Sequence, residues 1–371
     1  MKILFTGGGT GGHTFPIIAV ARELKKIDPS LDLYFIGPKK EVVPSDLEKE
    51  GIKVKKVLSG KIRRYKGFSS KISNFIDLFI KTPLGLIQSF FYIFFLSPDL
   101  VFSKGGYGAV PPTLAARILQ VPIFLHESDI APGVANQFLS RFALEVFTSF
   151  PKTEFFPPKK LILIGNPVRN ELFLPLSKDE ENCFDLKTEK PVLLILGGSQ
   201  GSERINDLTL EILPGLLSNF EVIHQCGSLN YDNLLIESDF LIPEDLKDSY
   251  HLLPFLNEKE LRCAYSISDI IVSRAGSGSI FEIAIAAKPS ILIPLSESAQ
   301  NHQSKNAHSY SDLGCALVIE EDNLTPHFFL QKVVALMKSP SARRNMINQA
   351  SKFSKPRSAK IIAEYIVEFL R

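Results

Sequence analysis

Four glycine-rich stretches each follow a short apolar run: GGGTGG at residues 7–12, SKGGYG at 103–108, LGGSQGS at 196–202 and SRAGSGS at 273–279. A glycine removes the side chain that would keep an oxyanion away from backbone N–H groups, and a helix starting just after the loop directs its positive end at the same point. One such loop is often only a tight turn. Four of them at expected strand ends, spread over both halves of the chain, point to a cleft that receives phosphates from two sides.

Residues 7–12 also satisfy G-x-G-x-x-G, the dinucleotide fingerprint. A dehydrogenase would carry an acidic residue at the end of the second strand for the ribose, and here that strand ends YFIGPKK, so the reading fails. His13 lies where the first loop meets its helix. The helix start disfavours imidazolium there, so a neutral ring able to take a proton is expected; a capping or packed histidine is the plain alternative. His126 and Glu127 close another expected strand in FLHESD, where a carboxylate can act as a base, orient a sugar hydroxyl or simply satisfy buried polar groups. Arg274 can pair with phosphate, and Glu282, on the helix that follows, can accept both hydroxyls of a ribose. QNHQ at 300–303 supplies amides, which read sugar hydroxyls by donating and accepting together.

Positioning these groups requires strands that end at them. KILFTGG, LYFIG, LVFSKGG and PIFLHE in the first half, and VLLILGG, EVIHQCG, DIIVSRAG and SILIPL in the second, alternate with stretches of helical length. Buried strands alternating with helices imply parallel sheets covered on both faces, and the repeat of MKILFTGGGTGG as PVLLILGGSQGS implies two doubly wound α/β domains. Residues 155–191 read as an irregular connection, and KPRSAKIIAEYIVEFLR as a closing amphipathic helix.

Composition narrows the partners. The chain has 371 residues, 45% hydrophobic and 22% charged, with 42 Lys plus Arg against 40 Asp plus Glu, so it is a folded protein with no charge reason to bind nucleic acid. Residues 51–71 nevertheless carry Lys53, Lys55, Lys56, Lys61, Arg63, Arg64, Lys66 and Lys71 and no acid, just ahead of the apolar run ISNFIDLFIKTPLGLIQSFFYIFFL. That pairing suits an anionic membrane surface. The uncharged part of the run is too short to span, residues 84–96 are expected to form a buried helix, and Ile72, Phe75, Ile76 and Phe79 have the spacing of an exposed apolar stripe. Cys183, Cys226, Cys263 and Cys315 show neither metal-ligand spacing nor a disulfide framework, and MKILFTGGG is too short an apolar run for a signal peptide. Both fit the cytoplasm.

GGTGGHTFP, KGGYGAVPP, HESDIAPG, GNPVR, LGGSQG, SRAGSGSIFE and NHQSKNA occur in order over nearly the whole chain. In this the chain resembles the bacterial undecaprenyldiphospho-muramoylpentapeptide β-N-acetylglucosaminyltransferases. The resemblance implies the GT-B fold, two Rossmann-like domains facing across a cleft with the C-terminal helix crossing back to the first. Residues 1–165, completed by 356–371, would bind acceptor and membrane, and 166–355 the UDP-sugar. It further implies a hexosyltransferase that moves N-acetylglucosamine from UDP-N-acetylglucosamine to the 4-hydroxyl of the muramoyl pentapeptide on undecaprenyl diphosphate. This converts lipid I to lipid II for peptidoglycan, at the cytoplasmic face of the inner membrane.

Carried over by the resemblance, Thr10, Gly11 and Gly12 lie near the donor sugar, with His13 and Glu127 as catalytic candidates. Gly105, Gly106 and Tyr107 match the acceptor diphosphate loop. Asp129, Arg169, Ser199, Leu256, Arg274, Gln303 and the segment Ser277, Gly278, Ser279, Ile280, Phe281 and Glu282 match donor contacts, Leu256 through its backbone. The family usually has Asn where this chain has Asp129, which turns a possible donor into an acceptor. No D-x-D stands beside a glycine loop, so no metal or other cofactor is expected and inversion proceeds by direct displacement. A UDP-N-acetylglucosamine 2-epimerase and a non-catalytic nucleotide-sugar or lipid-binding subunit are the rival readings.

Overall fold

The computed structural model describes residues 1–8, 11–39, 44–61, 68–151, 155–177, 180, 183–198, 200–296 and 298–371. They form two compact units, Met1–Arg169 with Lys355–Arg371, and Asn170–Ser354.

The first unit is built on strands β1 (Lys2–Thr6), β2 (Asp32–Pro38), β3 (Lys53–Val57), β4 (Leu100–Ser103), β5 (Ile123–Glu127), β6 (Glu145–Thr148) and β7 (Leu161–Leu163). They pair in parallel in the order β3-β2-β1-β4-β5-β6-β7. β4 and β5 are buried along their whole length because helices cover both faces, which is why they read as unbroken apolar runs rather than alternating ones. Strand order reverses at β1, which has β2 on one side and β4 on the other. In open α/β sheets ligands bind beyond the carboxyl ends of the strands at such a reversal. The first two glycine loops leave from those two ends.

The second unit repeats the plan with β8 (Val192–Leu196), β9 (Glu221–Gln225), β10 (Tyr250–Leu253), β11 (Ile270–Ser273), β12 (Ser290–Leu292) and β13 (Leu317–Val318), all parallel, ordered β10-β9-β8-β11-β12-β13. Its reversal lies at β8 beside β11, and the other two glycine loops leave from there.

As the resemblance implies, the C-terminal helix Ser358–Leu370 returns to the first unit. It buries Ile362, Ala363, Ile366 and Val367 in the core that holds Phe5, Ile17 and Phe102. Tyr365 lies edge-on to Phe124 and Phe147, 5.5 and 5.4 Å between ring centroids. Each fully buried branched side chain contributes roughly 1.5–3 kcal/mol, enough to hold a chain end that crosses from one unit to the other.

Three expectations are corrected. The stretch 155–191 is not wholly irregular: Leu161–Leu163 pairs with β6 as a seventh strand. Helix Thr82–Leu96 is not buried. Only Gly85, Ser89 and Ile93, one narrow stripe at four-residue spacing, are fully buried, with Leu86, Phe90 and Leu96 partly buried against the core beside them, while Phe91, Phe94 and Phe95 are 54%, 56% and 78% exposed. Gly85 allows this close seating, since a Cβ there would lie 1.7 Å from the carbonyl oxygen of Leu58. Through a wide turn at Asp77–Lys81 the helix is continuous over Ile72–Leu96, long and apolar enough by length and composition to cross a membrane, though its small-residue stripe is committed to the domain. Finally, Cys183 and Cys263 are not scattered but meet with Cα atoms 6.6 Å apart, a proximity that a separation of 80 residues hides, while Cys226 and Cys315 are buried and free.

Replacing an interior helical glycine by alanine ordinarily stabilises by about 1 kcal/mol. At Gly85 the obstacle is a backbone oxygen that cannot rotate away. Gly85→Ala is therefore expected to destabilise the protein by about 1–3 kcal/mol in urea unfolding; a gain in stability would contradict the observed seating of this helix.

Candidate active site

In the first unit, β1 is followed by Gly7 and Gly8, and helix Gly11–Ile27 begins with His13 in its first turn. The imidazole lies against both glycine loops: a Cβ on Gly8 would sit 3.0 Å from its Nδ1, and one on Gly106 2.9 Å from its Nε2. Gly105 and Gly106 both have φ of +81°, a left-handed backbone that side chains resist. Gly105 is also crowded, because its Cβ would fall 1.8 Å from Asn136 Oδ1. Tyr107 opens the short turn Tyr107–Ala109, with Lys61 Nζ 5.6 Å from its ring centroid.

Beneath these loops runs a buried polar network that the sequence only partly disclosed. Lys104, 2% exposed, directs its ammonium to His126 Nδ1 at 2.8 Å, to Ser128 Oγ, and to Asn166 Oδ1 at 3.4 Å. His126 Nε2 lies 3.0 Å from the carbonyl oxygen of Gly165. A carbonyl can only accept and an ammonium only donate, so the ring is the neutral Nε2–H tautomer. Burial, and then the neighbouring Lys104 charge, hold the His126 pKa well below the ordinary histidine range. Burial pushes Lys104 down to about 8, opposed by the charges of Glu127 and Asp129.

Glu127 is 4% exposed and both its oxygens are engaged: Asp129 N–H donates to Oε1 at 2.9 Å and Asn136 Nδ2 to Oε2 at 2.8 Å. Burial first, and then the Asp129 charge, push its carboxyl up to about 7. His13, by contrast, is half-exposed. Glu127 is held against the Asp129 turn, whereas His13 keeps part of its ring exposed. Arg169 falls in the first unit, its guanidinium 4.1 Å over the ring of Phe15.

In the second unit the loop after β8 has glycines with positive φ at Gly198 and Gly201. Gln225, at the end of β9, fastens it: Nε2 donates to the Gly198 carbonyl at 2.9 Å while Oε1 accepts from Leu256 N–H at 3.1 Å. Leu256 itself is buried in the core, so only its backbone can face a ligand. Helix Ser277–Ala286 starts from Gly276 with no side-chain cap, and the amides of Gly278 and Ser279 have no intrahelical acceptor. A Cβ at Gly276 or Gly278 would meet no described atom within 4 Å, so packing does not dictate these glycines.

Other predicted residues take supporting places. Ile280 and Phe281 are fully buried, and Ile280 N–H bonds the Gly276 carbonyl, so both anchor the helix rather than face a ligand. Arg274 is not aimed into an open loop: it pairs with Glu321 at 2.6 Å and donates to Ser202 Oγ at 2.6 Å and to the Ile293 carbonyl at 3.2 Å. It ties two loops together. Glu282 Oε2 accepts from Tyr265 OH at 2.9 Å, and Gln303 Oε1 accepts from Leu295 N–H at 3.0 Å. Thr10 and Ser199, and the basic residues Arg63, Arg64 and Lys66, lie outside the described residues. Sequence reasoning missed Lys104, Asn136, Asn166, Gln225 and Tyr265. Of these, only Lys104 carried a signal, a charge closing an apolar strand.

The glycosyltransferase family 28 N-terminal domain matches residues 3–148, and the C-terminal domain of the same family matches 192–362. A Clostridium tetani protein named UDP-N-acetylglucosamine–N-acetylmuramyl-(pentapeptide) pyrophosphoryl-undecaprenol N-acetylglucosamine transferase is 37% identical over 95% of this chain and 94% of its own. The chain belongs to glycosyltransferase family 28. A Treponema denticola member bearing the same name is 35% identical, covering 99% of this chain and 97% of its own. Among solved structures, Acinetobacter baumannii MurG superposes with a TM-score of 0.73 at 24% identity over 99% of both chains. A Staphylococcus aureus MnaA–UDP structure gives 0.71 at 14% identity, over 100% of this chain and 97% of that one. These likenesses establish the GT-B fold of this family 28 chain.

The carboxyl of Glu127 holds its proton well above the unfolded value of 4.5, so it lowers stability as pH climbs from there through about 7. Titration of that side chain by carbon NMR is expected to show a midpoint near 7. Lys104→Met should raise it further, because the ammonium favours the ionised form. A wild-type midpoint near 4.5 would contradict the burial assigned to this group.

Proposed function

We propose that this chain transfers N-acetylglucosamine, with inversion, from UDP-N-acetylglucosamine to the 4-hydroxyl of the muramoyl-pentapeptide carried on undecaprenyl diphosphate, completing the disaccharide lipid of peptidoglycan. The observation that carries the reading is that both units place glycine loops and a helix start at their sheet reversals, one set for each diphosphate. The relatives at 35–37% identity bear the transferase name, whereas the epimerase structures share the fold at 13–17%.

In this reading the second unit holds the donor. Gly278 and Ser279 amides meet the diphosphate, Glu282 takes the ribose hydroxyls, the Leu256 backbone reads the uracil edge, and Gln303 faces the sugar. Charge grows on the UDP leaving group as the anomeric bond breaks, so amides already aimed at it favour the transition state over the bound substrate. Gly105, Gly106 and Tyr107 receive the acceptor diphosphate. His13, half-exposed between the two loops, takes the proton of the attacking hydroxyl, while Glu127 and Asn136 hold the Asp129 turn.

The first unit also suits a membrane surface. Helix Ile72–Leu96 exposes Phe75, Phe79, Phe91, Phe94 and Phe95 away from its seated stripe, an apolar patch too extensive for a free surface. Lys53, Lys55 and Lys56 stand exposed on the edge strand β3. We place the protein on the cytoplasmic face of the inner membrane, docked through this helix and its basic flank.

His13→Ala is expected to lower transfer by about 10²–10⁴-fold while UDP-sugar binding by calorimetry persists. Unchanged turnover would remove His13 from the reaction. Incubation of labelled UDP-N-acetylglucosamine with and without the lipid-linked acceptor should yield labelled lipid only in its presence; free N-acetylmannosamine or its nucleotide would favour the epimerase. Binding to anionic liposomes should weaken as salt rises, and equal binding to neutral vesicles would overturn the basic half of the docking surface.

A further inference from the structure

Tyr265 lies on helix Glu258–Ile267, in a stretch that no glycine loop or charged motif marks. Its ring is 2% exposed and packs against Phe173, 5.9 Å between centroids with planes 32° apart. Phe173 closes the turn Asn170–Phe173, and the same helix grips that segment a second time. Arg262 Nε donates to the Leu174 carbonyl at 3.0 Å and its Nη2 reaches Glu180 Oε2 at 3.2 Å. The ring therefore has one place to be, and from there its hydroxyl donates to Glu282 Oε2 at 2.9 Å.

We propose that Tyr265 is a positioning residue that sets the sugar selectivity of the donor site, holding Glu282 so that its carboxylate takes both hydroxyls of a ribose and rejects a 2′-deoxyribose. The proposal rests on the UDP-sugar reading of the second unit.

Glutamate is a flexible residue, and Glu282 is only half-buried on its helix. To receive a vicinal diol, both oxygens must lie in one plane facing the sugar, and fixing that torsion costs side-chain entropy at the moment of binding. A hydrogen bond from a ring that is itself immobile fixes the torsion beforehand. A carboxylate has about four lone-pair positions, so accepting from Tyr265 is compatible with receiving both hydroxyls. A substrate lacking one hydroxyl would leave a prepared acceptor unmatched, and preparation is what makes that mismatch costly.

The test uses the full-length protein and Tyr265→Phe, which keeps the ring and its packing. Affinities for UDP and 2′-deoxy-UDP are measured by calorimetry, alongside kcat and KM. Wild type should prefer UDP by about tenfold or more, the worth of one hydrogen bond to a charged group. In Tyr265→Phe, UDP binding should weaken several-fold, 2′-deoxy-UDP binding should stay as it was, and KM should rise with kcat little changed. If wild type does not separate the two nucleotides, the ribose role of Glu282 fails and the donor-site reading with it. If wild type separates them and Tyr265→Phe does so equally well, or loses both nucleotides in parallel, Tyr265 is only a packing residue and the proposal is overturned. Glu282→Gln, which removes the acceptor pair itself, should abolish the discrimination and so calibrates its full extent.

Discussion

Everything in the first unit depends on how closely backbone can approach backbone around His13. Its imidazole occupies the space that side chains on Gly8 and Gly106 would need. A residue larger than glycine at either place would push the ring off the start of its helix. The same constraint passes downward. Gly105 makes room for Asn136, Asn136 donates to Glu127, and Glu127 accepts the Asp129 amide, so one missing side chain in the loop after β4 reaches the turn after β5 through a chain of contacts. Lys104, one residue earlier, supplies the cation that this buried arrangement of acceptors needs.

The second unit uses the same topology with different fastening. Among the described residues no buried lysine underlies these loops. Gln225 bridges the Gly198 carbonyl and the Leu256 amide, and Arg274 is drawn to Glu321 and Ser202, so the loops are braced by their own neighbours. What remains turned outward is the uncapped start of helix Ser277–Ala286. A neutral helix end that meets a diphosphate without a mobile side chain needs no reorganisation when charge develops on the leaving group.

Much of this was legible in the sequence because glycine and strand patterning are local signals. The strand-loop-helix units, the two doubly wound halves and the loops themselves follow from runs such as KILFTGG and VLLILGG, while the return of the C-terminal helix came from the family resemblance. The residues that hold the site were hidden because their partners are distant in the chain. Asn136 meets Glu127 from a helix, Gln225 meets Gly198 from the next strand, and Tyr265 meets Glu282 from seventeen positions away. The helix Thr82–Leu96 misled for a related reason: apolar composition alone does not tell a buried helix from one whose narrow small-residue stripe is seated and whose aromatic face is exposed.

The most direct measurement is a crystal structure with UDP. The diphosphate oxygens should accept from the N–H groups of Gly278 and Ser279 at about 2.7–3.2 Å, with the Arg274–Glu321 pair intact. A diphosphate held instead by an Arg274 released from Glu321, or lying away from the start of this helix, would contradict the role given to the backbone.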